Sequence, residues 1–224
     1  MARLKLNEQI TIAVSVLALA LSAASAWYTV LRDRRQDTES LAVSINPERG
    51  DYETELLGFV GERPSQIVLN WHGFIANNGS IPVSIVSFDV WGVGKPNLFT
   101  HSHMNLGLFD SDGKQIVLPM VVEPGHATPI EIRTGVMLAT AVEGILGTRF
   151  PIGQKVRYIE VLKHVARSGK DLFGNDIKYQ EFGDNTYSFE GPDPSRDVRQ
   201  PVFLWSFSTA RSNKFTFTSS FYGQ

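Results

Sequence analysis

The sequence has no cysteine in its 224 residues. This absence excludes disulfide bonds, thiolate metal sites and cysteine nucleophiles, and it leaves the redox compartment of the protein open. Basic residues are not in excess either, because 21 lysines and arginines stand against 23 aspartates and glutamates, for a net charge of −2. A protein that neutralises nucleic-acid phosphates needs a basic excess. We therefore expect no nucleic-acid partner.

Motifs that mark common active sites are also missing. The chain has no GxSxG, GxxxxGKS, HExxH or GxGxxG. Gly92-Val93-Gly94 leads directly into Lys95-Pro96 and so cannot open a dinucleotide-binding helix. We predict no catalytic residue, no metal ligand and no cofactor-binding residue, and hence no cofactor. With 42% hydrophobic and 20% charged residues, a packed core is expected.

Charge is absent altogether from Gln9 to Leu31, a run of 23 residues dominated by isoleucine, valine, leucine and alanine. As a helix this run is about 34 Å long, enough to cross a hydrocarbon core of about 30 Å. Trp27 and Tyr28 lie near its end, where a helix that leaves a bilayer commonly carries aromatic rings. We predict a polar leader over residues 1–9, a transmembrane helix over residues 10–31 and a charged linker over residues 32–40.

A cleaved signal peptide is the alternative for the same segment. Ala24-Ser25-Ala26 has the small-residue spacing of a cleavage site, but the apolar run continues beyond it to Leu31, which favours a retained anchor. Membrane lipid is then the first expected partner of a single-pass protein. The leader has two basic residues and the linker has three within four positions. The positive-inside rule therefore leans toward a cytoplasmic domain and leaves the side open.

Small residues recur within the apolar run. Ala20 and Ala24, like Ser22 and Ala26, have the small-xxx-small spacing that lets two membrane helices approach closely. A homo-oligomer is thus an expected arrangement, although small residues are common in such helices without one.

Residues 41–224 are expected to form one β-rich domain, because short apolar or alternating runs lie between turns rich in glycine, asparagine and proline. The predicted strands are Leu41–Ile45, Gln66–Ala76, Ile81–Trp91, Leu106–Phe109, Gln115–Val122, Thr128–Arg133, Lys155–Val165, Asp176–Phe182, Pro201–Ser208 and Phe215–Phe221. Val136–Leu146 lacks the alternation and predicts one short helix, which Gly147 ends. Asp51–Pro64 and Asp184–Arg199 are predicted to be loops. These elements indicate a mainly β fold of two packed antiparallel sheets.

Three features carry a resemblance to known proteins: the apolar helix that ends in aromatics and arginine, the strand entry Asn78-Gly79-Ser80-Ile81-Pro82-Val83, and Pro124-Gly125 before the Ile130-Glu131-Ile132 strand. The layout resembles that of small, uncharacterised bacterial single-pass membrane proteins with an N-terminal anchor. The resemblance implies that an antiparallel immunoglobulin-like β-sandwich follows the transmembrane helix, in a bacterial membrane. It implies no catalytic residue.

Histidine and carboxylate groups were weighed as metal ligands. His101, His103 and His126 could bind zinc if the fold brought them together, yet exposed loop histidines are the simpler interpretation. Asp110-Ser111-Asp112-Gly113 is similar to the start of a calcium loop, but Lys114 follows and a hairpin turn explains the same residues. We therefore predict no metal site here.

Other carboxylates have equally ordinary interpretations. Asp171, Asp176 and Asp184 could meet around a cation, although scattered loop carboxylates are usually solvated. Glu160 could be an inward-facing carboxylate of the Lys155–Val165 strand, although a solvent-facing or paired position is more typical.

The position of three tryptophans, Trp71, Trp91 and Trp205, distinguishes a structural role from a binding role. Buried between the sheets, as we predict, they are core residues; exposed on a sheet face, they could stack on a sugar or anchor a partner. We predict a membrane-anchored, non-enzymatic domain that binds another, unidentified protein, within a membrane or envelope complex. A ligand-binding or carbohydrate-binding module is the alternative, and an anchored hydrolase or metalloenzyme is the third hypothesis.

Overall fold

A computed structural model of the chain describes residues 6–36, 38–58, 64–93, 99–102, 104–183, 186–191 and 201–222. Its first element is one α-helix, α1, from Leu6 to Gln36. Within it, Thr11–Leu31 is long and apolar enough to cross a membrane, and all its side chains are exposed. The predicted apolar helix is confirmed, but it continues through residues 32–36, which we predicted to be a linker. Arginine and glutamine are good helix formers, so that stretch contains no signal that would end a helix.

The domain that follows is mainly β, as predicted. Its strands are β1 Leu41–Pro47, β2 Glu53–Leu57, β3 Gln66–Asn77, β4 Val83–Val93, β5 Phe99–Ser102, β6 Met104–Phe109, β7 Met120–Val122, β8 Ala127–Met137, β9 Lys155–Arg157, β10 Lys178–Phe182, β11 Thr186–Glu190, β12 Val202–Thr209 and β13 Lys214–Ser220. Its helices are α2 Thr140–Gly147 and α3 Tyr158–Ala166.

Two antiparallel sheets make up most of the domain. The first has the order β6-β8-β3-β2-β9, with β1 also paired to β3; the second has the order β13-β12-β4-β5, with β7 also paired to β4. Their apolar faces meet where Trp71 of β3 contacts Phe203 and Trp205 of β12, with ring centroids 4.5 and 5.1 Å apart. The antiparallel sheets predicted from the sequence are confirmed.

Side-chain alternation explains why these strands form the core. On β12, Phe203, Trp205 and Phe207 point to the inner face, and each is fully buried. On β3, Leu69 and Trp71 do the same from the opposite sheet. Successive strand residues face opposite sides, so each strand contributes one complete row. Burying a side chain of this size stabilises the fold by about 1.5–3 kcal/mol.

The stretch Lys155–Val165, predicted to be one long strand, is instead the short strand β9 followed by helix α3. Its β-branched and aromatic residues favour a strand locally. However, Tyr158, Val161 and Val165 are buried at helical spacing, and tertiary burial of one face outweighs local propensity. The described part of the domain thus has two short helices rather than one. The predicted helix Val136–Leu146 begins too early, because β8 continues to Met137 and α2 starts at Thr140.

Two predicted loops contain strands. Within Asp51–Pro64, β2 buries Thr54 and Leu56 on one face while its glutamates face outward; the acidic composition hid this alternation. Within Asp184–Arg199, Thr186–Glu190 forms β11, which pairs with β10. Conversely, only Met120–Val122 of the predicted strand Gln115–Val122 is a strand, and it pairs with β4.

The two ends of the domain differ. We call the end next to α1 the proximal end; it consists of residues 38–40, 77–83, 122–127 and 209–214. Backbone N–H groups of the β3–β4 connection donate to carbonyl groups of Thr38–Ser40. The Glu39 carboxylate accepts hydrogen bonds of 2.7 Å from the Thr209 and Asn213 side chains. The segment after α1 is therefore bound to the domain.

Helices α2 and α3 lie beyond the opposite ends of the strands, because α2 follows the far end of β8.

Candidate functional site

Of the three histidines considered as zinc ligands, only the side chain of His126 is described. His126 is exposed, with Nδ1 3.2 Å from Pro124 O in its own turn. His101 lies in β5, but its side chain and the whole of His103 lie outside the described residues. Among the residues that the structure describes, no group of three histidines or carboxylates could hold a metal ion.

The carboxylates first considered as cation ligands bind backbone or lysine groups. Asp110 Oδ1 accepts hydrogen bonds from the N–H groups of Asp112 and Lys114, at 3.0 and 2.9 Å, which is the geometry of a turn. Asp176 pairs with Lys170 at 2.6 Å. Glu160 is an exposed residue in the first turn of α3, where a negative charge favours the helix. Asp184 lies outside the described residues.

Asp171 belongs to a cluster of phenol groups near the end of the domain that lies opposite the proximal end. It accepts hydrogen bonds from Asn175 and from the Tyr222 hydroxyl, while the rings of Tyr52 and Tyr158 stack 4.6 Å apart. Burial raises the pKa of Tyr52 and Tyr158, and burial together with the Asp171 charge raises the pKa of Tyr222. Phenols with raised pKa values remain protonated at neutral pH, so none of the three tyrosines is a phenolate there. It ties the end of β13 to the segment after α3.

Two of the three tryptophans are core residues, as predicted. Trp71 and Trp205 are fully buried, and their Nε1–H groups donate to Thr134 Oγ1 and Ser219 Oγ at 2.8 Å. The prediction is wrong for Trp91, which is 38% exposed. Its neighbours on β4 point inward, so the strand alternation turns Trp91 to the outer face of the second sheet.

A cleft of about 540 Å³ opens between the two sheets along one side of the domain. It is lined by Val86, Ser87 and Phe88 of β4, by Asn105, Leu106, Gly107 and Leu108 of β6, and by Gln115, Ile116, Val117 and Leu118. Each wall comes from a different part of the fold: β4 belongs to the second sheet, β6 is an edge strand of the first, and the third segment connects β6 to β7.

The β4 wall of the cleft includes an unpaired stretch of strand edge. On the edge away from β12, β4 pairs with β7 at residues 83–85 and with β5 at residues 91–93. Between them, residues 86–90 have no strand partner on that edge within the described chain. A bulge relative to β12 lies at the start of this stretch, since Ser87 is opposite Ser208 while Ile85 is opposite Thr209. An unpaired strand edge offers backbone donors and acceptors to another chain.

Asn105 joins two walls of the cleft. Its Nδ2 donates to Phe88 O at 2.9 Å, and its Oδ1 accepts from Gly107 N at 3.0 Å. Gly107 has a φ of 124° at a bulge between β6 and β8, a conformation that glycine adopts readily. The amide of Asn105 therefore fixes the bulge of one sheet to a carbonyl group of the other.

The lining favours an uncharged ligand that has both apolar and hydrogen-bonding groups. None of the lining side chains is charged, and seven of them are valine, leucine, isoleucine or phenylalanine. Val117 is 83% exposed and Val86 is 42% exposed at the rim. Such a site cannot neutralise a phosphate or carboxylate, and it offers no exposed tryptophan or tyrosine ring for a sugar. The site does offer exposed aliphatic side chains, which a bound ligand would remove from water.

Neither a family model, nor a curated protein, nor a solved structure matches this chain.

No motif in the sequence marks the cleft directly. Val86 and Val117 are ordinary residues of predicted strands, and their exposure depends on which neighbours pair with β4. One signal was present: Val86 and Ser87 interrupt the in–out alternation of β4, and a break in that period is typical of a bulge.

Proposed function

We propose that this protein is a non-enzymatic, membrane-anchored immunoglobulin-like β-sandwich that binds a segment of a partner protein in the cleft between β4 and β6. The cleft carries this proposal: exposed aliphatic side chains and an unpaired strand edge lie together, and no titratable side chain lines the site. Protein segments are ligands that use both backbone hydrogen bonds and apolar side chains.

The strand order supports the immunoglobulin-like part of the proposal. One sheet contains the path β1-β3-β8-β6, and the other the path β13-β12-β4-β5. In chain order, leaving aside the short strands β2, β7 and β9 to β11, these correspond to the ABED and GFCC′ arrangements of immunoglobulin sandwiches. The helices α2 and α3 and the β10–β11 hairpin are then an insertion between β8 of the first sheet and β12 of the second.

The exposure of α1 supports the membrane anchor. No side chain of Thr11–Leu31 is buried by the rest of the described chain, so this apolar surface needs another environment, and a bilayer core matches its length. A secretory signal sequence near the N-terminus has the same length and composition. The test must therefore separate a retained helix from a cleaved one.

Membrane extraction tests the anchor. We expect full-length protein, with its first residues intact by mass spectrometry, to stay in the pellet after carbonate washing. A Leu17→Arg/Leu21→Arg variant should move to the supernatant, because an arginine at the centre of a spanning helix costs about 2.5–3.5 kcal/mol. Intact wild-type protein in the supernatant would refute the anchor, and a product that begins near residue 27 would show that α1 is a signal peptide.

Site-directed photocrosslinking tests the cleft. A photoreactive amino acid replaces either Val117, at the rim, or Val121, a less exposed but still accessible valine that does not line the cleft (55% exposed). In native membranes, Val117 should crosslink to one defined protein that Val121 does not reach. Equal crosslinking from both positions, or from neither, would refute protein binding at this site.

Carbohydrate binding is a second candidate function. Trp91 favours it, because Trp91 is the one partly exposed tryptophan among the described strands. Its register neighbours are Leu204 of β12 and Ser102 of β5. Stacking on a sugar requires an exposed ring face with polar groups around it. Glycan binding that is lost in Trp91→Ala and unchanged by the Val117 substitution would favour this function over protein binding.

A further inference from the structure

We propose that the partner enters the cleft as a short extended strand, which pairs with residues 86–90 of β4 and fills the gap between β5 and β7. This inference rests on the proposed protein-binding function and specifies its geometry. Among the described residues, the gap spans residues 86–90, about 17 Å at the rise of a β-strand.

The flanking strands determine what can fit. Both β5 and β7 pair with the same edge of β4, one on each side of the gap. A second copy of this domain could not bring its own β4 to the gap, because its β5 and β7 would meet those of the first copy. A single strand about five residues long has no such obstruction. The occupant is therefore a segment of a partner rather than the sheet of a second copy.

The backbone of β4 is oriented to receive such a strand. Phe88 O accepts a hydrogen bond from Asn105 Nδ2, which lies on the cleft side, so this carbonyl points to the open edge. The N–H and C=O groups of one strand residue point to the same side, and every second residue repeats that direction. Phe88 and Val90 therefore direct their N–H groups to the gap. A carbonyl oxygen has two lone pairs, so Phe88 O can keep Asn105 and accept from an entering strand.

The side chains around the gap select the composition of the strand. Its inner side chains would meet Leu106, Ile116 and Leu118, which are partly buried and uncharged. A charged side chain at such a position would lose water without gaining an opposite charge. The segment that fits is thus uncharged and apolar at alternate positions.

A tethered peptide tests strand pairing. The chain has no cysteine, so Gln115→Cys, at an exposed position of the cleft lining, gives a unique attachment point on the full-length protein in lipid nanodiscs. The probe is five alternating valines and threonines with a glycine–serine spacer and a terminal thiol. Tethering raises its local concentration to about millimolar. The matched control peptide has the same side chains with alternate backbone nitrogens methylated.

Hydrogen exchange of the β4 amides is the readout. We expect the unmodified peptide to slow exchange at Phe88 and Val90 by at least about tenfold, since each amide gains a strand partner, and the methylated peptide to leave it unchanged.

Equal slowing by both peptides would overturn strand pairing and show that side chains alone hold the occupant. No slowing by either peptide would overturn it as well. In either case, the Val117 photocrosslink decides separately whether a protein binds here, so failure of the strand geometry is distinguishable from failure of the proposed function.

Discussion

Replacing Asn77 tests whether one buried amide holds the proximal end of the domain together. Asn77 is fully buried at the end of β3. Its Nδ2 donates to Ile81 O at 2.7 Å and to Val122 O at 2.9 Å, and its Oδ1 accepts from Gly79 N at 2.9 Å. One side chain therefore connects the β3–β4 turn to the end of β7, beside the segment that leads to α1.

The expected cost follows from these three bonds. Each neutral hydrogen bond contributes about 1 kcal/mol net, and Asn77→Ala also leaves two carbonyl groups and one N–H without their partner in a buried site. We expect a loss of about 3–5 kcal/mol in the free energy of unfolding. Asn78→Ala is the matched control, since Asn78 is exposed, and its substitution should change stability by less than about 0.5 kcal/mol.

Asn77→Asp adds a pH dependence with a definite sign. A carboxylate at this position would face two carbonyl oxygens with no counter-charge, so the pKa of the introduced group would rise above its unfolded value of about 3.9. Because the pKa of the introduced aspartate is higher in the folded state than in the unfolded state, its contribution to stability is fully present below about pH 3.9. That contribution is lost as the pH rises toward the folded-state pKa. Relative to wild type, the free energy of unfolding of the variant should fall by up to about 4 kcal/mol between pH 4 and pH 7, at 1.36 kcal/mol per pH unit.

Urea unfolding in detergent micelles measures these values through the fluorescence of the buried Trp71 and Trp205. A loss below about 1 kcal/mol for Asn77→Ala would refute the reasoning, because three buried bonds cannot then be intact. So would an Asn77→Asp variant whose deficit does not change between pH 4 and pH 7.

Three further predictions concern the link to α1, the tryptophans and the phenol cluster. Gly79→Ala should release the Thr38–Ser40 segment, because the added Cβ would lie 2.2 Å from Thr38 O; faster amide exchange at Asn78 and Ser80 measures this, and unchanged exchange would contradict it. Trp205→Ala should cost about 3–5 kcal/mol and Trp91→Ala much less, so equal costs in urea unfolding would contradict the exposure of Trp91. Since the pKa of Tyr222 is raised, stability should fall as the pH rises above about 10; Tyr222→Phe should flatten this slope, and an identical slope would assign it to other groups.

Much of the sheet structure was predictable because the strands carry their own signal. The inner row of β12 alternates in the sequence as it does in the fold, and β3 and β4 are long apolar runs that are typical of strands. Helix α3 was missed because Tyr158, Ile159 and Val161 favour a strand when composition alone is considered. The burial of Tyr158, Val161 and Val165 has the spacing of three and four residues that a helix needs. Testing both periods on this stretch would have found it.

The cleft could not be predicted in the same way. It exists because β5 and β7 pair with β4 at two separate places. The apolar–polar alternation along a strand does not show which distant segment that strand pairs with. The Asp110 turn was predicted correctly, since its hydrogen bonds are local. The path of the segment between this turn and β7, by contrast, depends on contacts between separate elements. Ile116 N donates to Leu108 O of β6, and β7 pairs with β4 of the second sheet.

The proposed anchor and the proposed cleft constrain each other through distance. From Leu31 to Gln36 the helix advances about 7.5 Å, and two more residues reach Thr38, which is bound to the domain. From the proximal end of β4 at Val83, Ser87 is four residues away, about 13 Å along the strand. The cleft would then lie within about 30 Å of the hydrocarbon boundary. A retained α1 therefore requires a partner whose extended segment is itself close to the bilayer, whereas cleavage of α1 would remove that limit and allow a soluble partner.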